Sequence, residues 1–442
     1  MLKKIFFSLL FFSSLQLSAQ VLSLREQARV VDELMGDRLN NLLPSLMEKN
    51  KVDMWVLISR EYNEDPVLKT MLPAEWLFAR RRTILVFYNN PAKKQLEKLA
   101  IARYNVGEHI KAAWDMKQFP DQWEALIDLI RSRNPQQIAV NMSKNYGHAD
   151  GLDHTEYTEF MEKLPAAFKS KVVSAETLAV NWLETRTERE MQIYPQLVAM
   201  THKIIEVGFS EKIITPGITT TDDLVWWFRQ KIRDLGLETW FHTSVAIQRS
   251  DSMSFEHLRS FSNRPKDEVI IPGDLLHVDI GITYLRLNTD CQQHAYILKP
   301  GETGLPPALQ QAFEKANRLQ DILTSNFVKG RTGNQILSAS LAQAKSEGIK
   351  ASIYTHPLGF HGHAAGPTIG MWDQQGGVPG SGDFPLNYNT AYSIELNAAT
   401  FIPEWKKEIR IMLEEDGYYD ATGFRYIGGR QKAVYLVNRP KG

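Results

Sequence analysis

The sequence predicts an α/β domain over residues 21–178 followed by an α+β domain over residues 179–442, behind a leader of 20 residues. Three observations carry this reading. Strand-like and helix-like runs alternate up to about Ala175, a long amphipathic helical pattern then opens at a Thr-x-x-Glu box, and strand-like runs dominate from Val269 onward. With 43% hydrophobic, 10% aromatic and 23% charged residues over 442 positions, the chain can bury a large core, which excludes a disordered or fibrous protein. The 51 basic residues balance 51 acidic ones, so nucleic acid is not an expected partner.

The leader is justified first. Met1-Leu2-Lys3-Lys4 is cationic, Ile5 to Leu17 is apolar or Ser apart from Gln16, and Leu17-Ser18-Ala19-Gln20 ends in small and polar residues. That is the layout of a secretory signal peptide, too short to span a bilayer comfortably, and it predicts a secreted or periplasmic product without stable membrane insertion. The lone Cys291 cannot form an intramolecular disulfide and reads as a small packed side chain in a buried strand.

Leu24 to Asn50 carries one broad apolar helical face through Val30, Val31, Leu34, Leu39, Leu42, Leu43 and Leu46. Strands are predicted at Met54–Ile58, Thr83–Tyr88, Gln137–Val140 and Lys171–Val173, with helices at Gln122–Arg131 and Thr155–Phe168 between the later ones. In the second domain, Thr187-Glu188-Arg189-Glu190 is a capping box opening a helix through Ile205 and beyond, with an interruption expected at Pro195. Thr219 to Asp222 caps a second helix, and a helix pair is predicted at Pro307–Phe327 and Asn334–Glu347. Strands are predicted at Leu275–Gly281, Gln293–Leu298, Ala391–Leu396 and Ile409–Leu413.

The chemistry concentrates in this second domain, where 7 of the 11 histidines fall between His242 and His363. Asp279 and Asp290 stand eleven residues apart, the first inside an apolar strand, where an uncompensated charge costs several kcal/mol. His356, His361 and His363 lie in a loop flanked by Gly359 and Gly362. Glu395 is a carboxylate among apolar strand residues, and Glu414 shares a strand face with Arg410 and Met412 by the period of two. Imidazole and carboxylate gathered in this way suit a divalent cation.

In this order the residues resemble the metallopeptidase family that includes methionine aminopeptidase, Xaa-Pro aminopeptidase and prolidase (peptidase M24). The resemblance implies an N-terminal creatinase-like α/β domain followed by an α+β pita-bread catalytic domain. It also implies a pair of divalent ions, Mn²⁺ foremost with Co²⁺, Zn²⁺ or Fe²⁺ as alternatives, held by Asp279, Asp290, His356, Glu395 and Glu414. Asp290 and Glu414 would be shared between the ions, with Glu415 as the alternative to Glu414. The implied catalytic residues are Glu395 as proton shuttle and His363 and His257 as donors to the carbonyl oxygen, with His242 as the rival of His257. Met412 stands where proline-specific members commonly have Arg, and Ser352 where they have His.

The implied activity is removal of the N-terminal residue from peptides, preferentially before proline. The alternatives are a prolidase-type Xaa-Pro dipeptidase and a non-catalytic envelope protein that binds peptides. A homodimer or larger homo-oligomer is implied as well. His277 shares a strand face with Asp279 and reads either as packed core or as a support behind the ligands, while His361 has no assigned role. Trp372, Trp405, Phe360 and Tyr388 are candidates for an apolar substrate pocket or for ordinary core.

Overall fold

The computed structural model describes residues 21–90, 95–253 and 268–437, so the leader and His257 lie outside the described residues. The first domain is built on six strands, β1 (Met54–Arg60), β2 (Arg82–Asn90), β3 (Gln95–Ala100), β4 (Lys111–Ala112), β5 (Ile138–Val140) and β6 (Val172–Ser174), in the order β4-β3-β2-β1-β5-β6. Central β1 runs antiparallel to β2 and parallel to β5. Its side chains alternate between two cores: Trp55 and Leu57 join one, Met54, Val56 and Ile58 the other. Burial on both faces explains why β1 and β2 read as unbroken apolar runs, whereas β3, with Glu97 and Lys98 partly exposed, escaped prediction.

The expected helix over 24–50 is present as Leu24–Asp37 and Leu43–Lys49 joined by a wider π turn at Arg38–Leu42. The helix expected over 155–168 is instead two, His154–Lys163 and Ala166–Lys169, separated at Pro165, which lacks the N–H a continuing helix needs. A helix at Glu176–Glu184 runs across the expected domain boundary, and its Leu178, Ala179, Val180, Trp182 and Leu183 pack in the first domain's core.

In the second domain, β7 (Ser244–Gln248), β8 (Leu275–Ile280), β11 (Cys291–Ile297) and β19 (Tyr435–Val437) form one sheet, with the short pair β9 (Thr283–Tyr284) and β10 (Leu287–Asn288) projecting between β8 and β11. The strands β12 (Lys350–Ile353), β15 (Leu396–Ile402) and β16 (Lys407–Leu413) form a second sheet, and β13 (His356–Leu358), β14 (Thr390–Ser393), β17 (Asp416–Asp420) and β18 (Gly423–Tyr426) a third. Helices Glu188–Gly208 and Thr221–Asp234 cover the first sheet, and Pro307–Ser325 and Gly333–Ser346 cover the others. The box at Thr187 and Glu190 forms as expected, and the second helix is capped at Thr220 with Asp223. The interruption expected at Pro195 does not occur. Tyr194, Leu197, Val198, Ile204 and Ile205 are buried on either side of it, and this packing outweighs the roughly 3 kcal/mol that an interior proline costs a helix.

One further difference positions the site. The strand expected over Ala391–Leu396 is two strands in different sheets: Ser393 ends β14, Leu396 opens β15, and Ile394-Glu395 is the corner between them. A matching corner at Glu414-Glu415 joins β16 to β17. The corner is tied to the first sheet by two backbone hydrogen bonds, Gln292 N–H to Glu414 O at 2.9 Å and Glu414 N–H to Gln292 O at 3.2 Å.

Candidate metal centre

The five acidic and imidazole side chains implied by the family resemblance come from all three of these sheets and meet at these corners. Asp279 lies within β8, Asp290 immediately precedes β11, and His356 opens β13. Ligand atoms of Asp279, Asp290 and Glu414 lie within 4.8 Å of one another, and so do those of His356, Glu395 and Glu414, the two groups sharing Glu414. His356 Nε2 stands 3.5 Å from Glu414 Oε1, 3.6 Å from Asp290 Oδ2 and 4.0 Å from Glu395 Oε2.

The tautomer of His356 follows from its other nitrogen. Nδ1–H donates to the Pro357 carbonyl at 3.0 Å, which leaves Nε2 to present a lone pair to three carboxylates. That nitrogen and Asp290 Oδ1 are buried and have no hydrogen-bond partner among the described residues. A lone pair facing carboxylates is repulsive unless a cation stands between them, so the donor set fits a metal ion. Burial, followed by the charges of Glu414, Asp279 and Glu395, pushes the Asp290 carboxyl well above its usual range. Burial, then Glu414 and Asp279, does the same to Glu395. Without cations this cluster takes up protons, which divalent ions would displace. One imidazole with four carboxylates and no thiolate suits Mn²⁺, Co²⁺, Fe²⁺ or Zn²⁺.

A polar layer holds these groups. Ser393 Oγ–H donates to Glu414 Oε1 at 2.6 Å, and the Asp290 backbone N–H donates to Asp416 Oδ1 at 3.1 Å. The Glu395 carbonyl accepts from Tyr354 N–H at 3.1 Å and from Thr355 Oγ1–H at 2.9 Å, which locks the corner. His277 sits behind the acids with Nε2–H donating to Gln292 Oε1 at 2.8 Å, and burial, then His294, pushes its pKa down to about 3.

The glycine-flanked loop places the remaining imidazoles. His363 has its ring 4.6 Å from that of His356 and 5.1 Å from that of Trp240, and desolvation, then His356, pushes its pKa down to about 4. The loop can approach Trp240 only because residue 362 is glycine: a Cβ there would lie 2.2 Å from the indole. Phe360 is clamped between two buried guanidinium groups, Arg38 of the first domain at 4.7 Å and Arg186 at 4.8 Å. Arg38 in turn donates to both carboxylate oxygens of buried Glu190, at 3.1 and 3.0 Å.

A cleft of about 360 Å³ opens onto the acids and is lined by Trp240, Phe241, Tyr354, Met371, Trp372 and Met412, with His363 and Arg410 also on its wall. Of the four aromatic candidates, Trp372 lines it. Trp405 packs in the core, Phe360 forms the clamp, and Tyr388 meets Tyr419 with tilted rings 5.4 Å apart. Trp240, Phe241 and Tyr354 were missed, because nothing in their local sequence marks which way they face.

Neither alternative residue enters the cluster. Glu415 turns to the opposite side of the strand, where it accepts from Gln293 Nε2 at 2.8 Å and contacts His202 Nε2 at 2.7 Å. His242 is exposed, accepts from Arg229 at 2.6 Å and packs against Trp226, outside the cleft. His361 packs against His148 of the first domain, with tilted rings 4.5 Å apart.

Comparison with known proteins fits this geometry. Residues 196–418 match the model of metallopeptidase family M24. An X-Pro aminopeptidase from Thermotoga maritima MSB8 is similar at 16% identity, covering 87% of this chain and 97% of that one with a TM-score of 0.61. A Xaa-Pro dipeptidase from Bacillus anthracis (15%, 94% and 100%, TM-score 0.57) and a prolidase from Pyrococcus furiosus (15%, 88% and 99%, TM-score 0.56) share the same fold. No curated protein sequence matches the chain significantly. The chain belongs to metallopeptidase family M24, with a creatinase-like domain ahead of a pita-bread catalytic domain. It is thus a peptide-bond hydrolase of a family that generally holds two divalent metal ions. Among the described residues no helix is long and apolar enough to cross a membrane.

Proposed function

We propose that this chain is an exported aminopeptidase that removes the first residue of peptides whose second residue is proline. The observation that carries the reading is the His356 Nε2 lone pair confronting Asp290, Glu395 and Glu414 beside Asp279 in an apolar cleft. Asp279, Asp290 and Glu414 would hold one divalent cation and His356, Glu395 and Glu414 the other, with Asp290 shared, and Mn²⁺ is the proposed metal. Bound there, such cations polarise a scissile carbonyl and bring the pKa of water close to neutrality.

The chain's own groups do the rest. Glu395 is partly open to the cleft and is proposed to take a proton from water and return it to the leaving amine. His363, neutral at pH 7, would donate N–H to the developing oxyanion, a role the family resemblance also gives to His257. Trp240, Phe241, Trp372 and Met412 offer apolar walls to a first side chain and a pyrrolidine ring. The activities of the similar structures, X-Pro aminopeptidase, Xaa-Pro dipeptidase and prolidase, support proline preference. The leader-like first 20 residues support action outside the cytoplasm.

Arg410 favours a second reading. It is the one lysine or arginine among the described residues lining the cleft, and a cation there suits the free carboxylate of a dipeptide. Assay of the chain lacking residues 1–20 on Xaa-Pro-Xaa peptides against Xaa-Pro dipeptides decides between the readings. A tenfold preference in kcat/KM for the longer peptides supports the aminopeptidase, and the reverse supports the dipeptidase. Activity unaffected by a chelator and by His356→Ala would overturn both.

A further inference from the structure

We infer that Gln292 is a positioning residue for two of the cation-holding carboxylates, an inference that rests on the metal reading above. Its side chain is 6% exposed, and both ends of its carboxamide are committed. Nε2–H donates to Glu395 Oε1 at 2.9 Å and to Glu414 Oε2 at 2.6 Å, while Oε1 accepts from His277 Nε2–H at 2.8 Å. The orientation of the amide is fixed by chemistry, since a flipped amide would set its oxygen against two carboxylates.

The oxygens it takes decide where the others point. With Glu395 Oε1 and Glu414 Oε2 held by Gln292, the opposite oxygens, Glu395 Oε2 and Glu414 Oε1, are the ones that face His356 Nε2 at 4.0 and 3.5 Å. One neutral residue thereby orients both acids of the His356-side cation without competing for that side. Its own placement is rigid. The Gln292 backbone pairs twice with Glu414, its Cα partner across β8 is Asp279, and His277 behind it packs its ring 5.2 Å from that of buried His294. His294 is anchored in turn, with Nδ1–H donating to the Leu276 carbonyl at 2.9 Å and Nε2 accepting Met412 N–H at 3.0 Å. Outer groups that orient metal ligands typically change metal affinity by about 10- to 100-fold when removed.

The test is calorimetric titration of Mn²⁺ into chelator-treated chain lacking residues 1–20, comparing the native protein with Gln292→Leu, which keeps the bulk and removes the amide, and with Gln292→Asn, which keeps the amide but is too short to bridge both acids. The native chain is expected to bind two ions. Gln292→Leu should weaken one of the two by about tenfold or more, and Gln292→Asn by a smaller factor. In peptide hydrolysis KM should stay within about twofold while kcat falls with occupancy and recovers as Mn²⁺ is raised, a rescue that a merely structural residue would not show. If Gln292→Leu does not fold, the Gln292→Asn titration carries the test. Two ions bound by the native chain with unchanged affinities in the variants would overturn the role of Gln292 and leave the metal reading standing. No ion bound by the native chain would remove both.

Discussion

Replacing Phe360 by Leu tests the way the first domain holds the segment that carries His363. The ring lies between the Arg38 and Arg186 guanidinium groups at 4.7 and 4.8 Å, and both arginines are fully buried, so each contact is desolvated and worth about 1–2 kcal/mol. A Phe-to-Leu change in a core that keeps its charges costs roughly 1.5 kcal/mol or less. Phe360→Leu should therefore lower unfolding free energy by about 2–5.5 kcal/mol, against about 1.5 kcal/mol or less for Phe313→Leu, which is buried in an apolar core. Urea unfolding followed by tryptophan fluorescence measures both. Because Phe360 lies between His356 and His363 in sequence, kcat should fall as well for Phe360→Leu and not for Phe313→Leu. Equal destabilisation by the two substitutions, with kcat intact in both, would refute the clamp.

Other consequences can be checked in parallel. Burial raises the Glu184 pKa to about 7 despite amide donors from Asn387 and Asn181, so the folded state holds a proton that the unfolded chain has lost above its ordinary pKa of 4.5. Its contribution is then full below pH 4.5 and declines by up to about 3 kcal/mol as pH rises to 7, and Glu184→Gln should flatten that slope in pH-dependent unfolding. Glu414→Gln should cut Mn²⁺ affinity by about 100-fold or more, while Glu415→Gln, whose side chain meets His202, Gln293 and the Gln431 backbone N–H on the other face, should leave it within about threefold. Gly362→Ala would push a methyl against the Trp240 indole, displacing His363 and lowering kcat/KM at least tenfold with Mn²⁺ binding retained.

Much of this was legible in the sequence because charge inside apolar runs is conspicuous. Asp279 inside an apolar run, the Asp279–Asp290 interval and the glycine-flanked imidazoles pointed to a cation site, and the family resemblance joined Glu395 and Glu414 to them. Glu395 was visible as a misplaced acid, but not the reason for its place: a strand pattern cannot show that the chain changes sheets at Ile394-Glu395. Gln292 carried only a faint signal, a run of Gln292, Gln293 and His294 in a strand buried throughout. The Arg38–Phe360–Arg186 clamp left none, since it joins side chains more than 140 residues apart whose burial only tertiary packing decides. Pro195 lowers helix propensity locally, but the apolar face on either side of it outweighs that cost.

The proposed function requires two cations between His356 and Asp279. Crystals of the chain lacking residues 1–20, grown with Mn²⁺ and measured at the manganese absorption edge, test it directly. Two anomalous peaks are expected, one against His356 Nε2, Glu395 and Glu414 and one against Asp279, Asp290 and Glu414. No peak at that site in Mn²⁺-saturated crystals, or peaks only elsewhere on the chain, would contradict it.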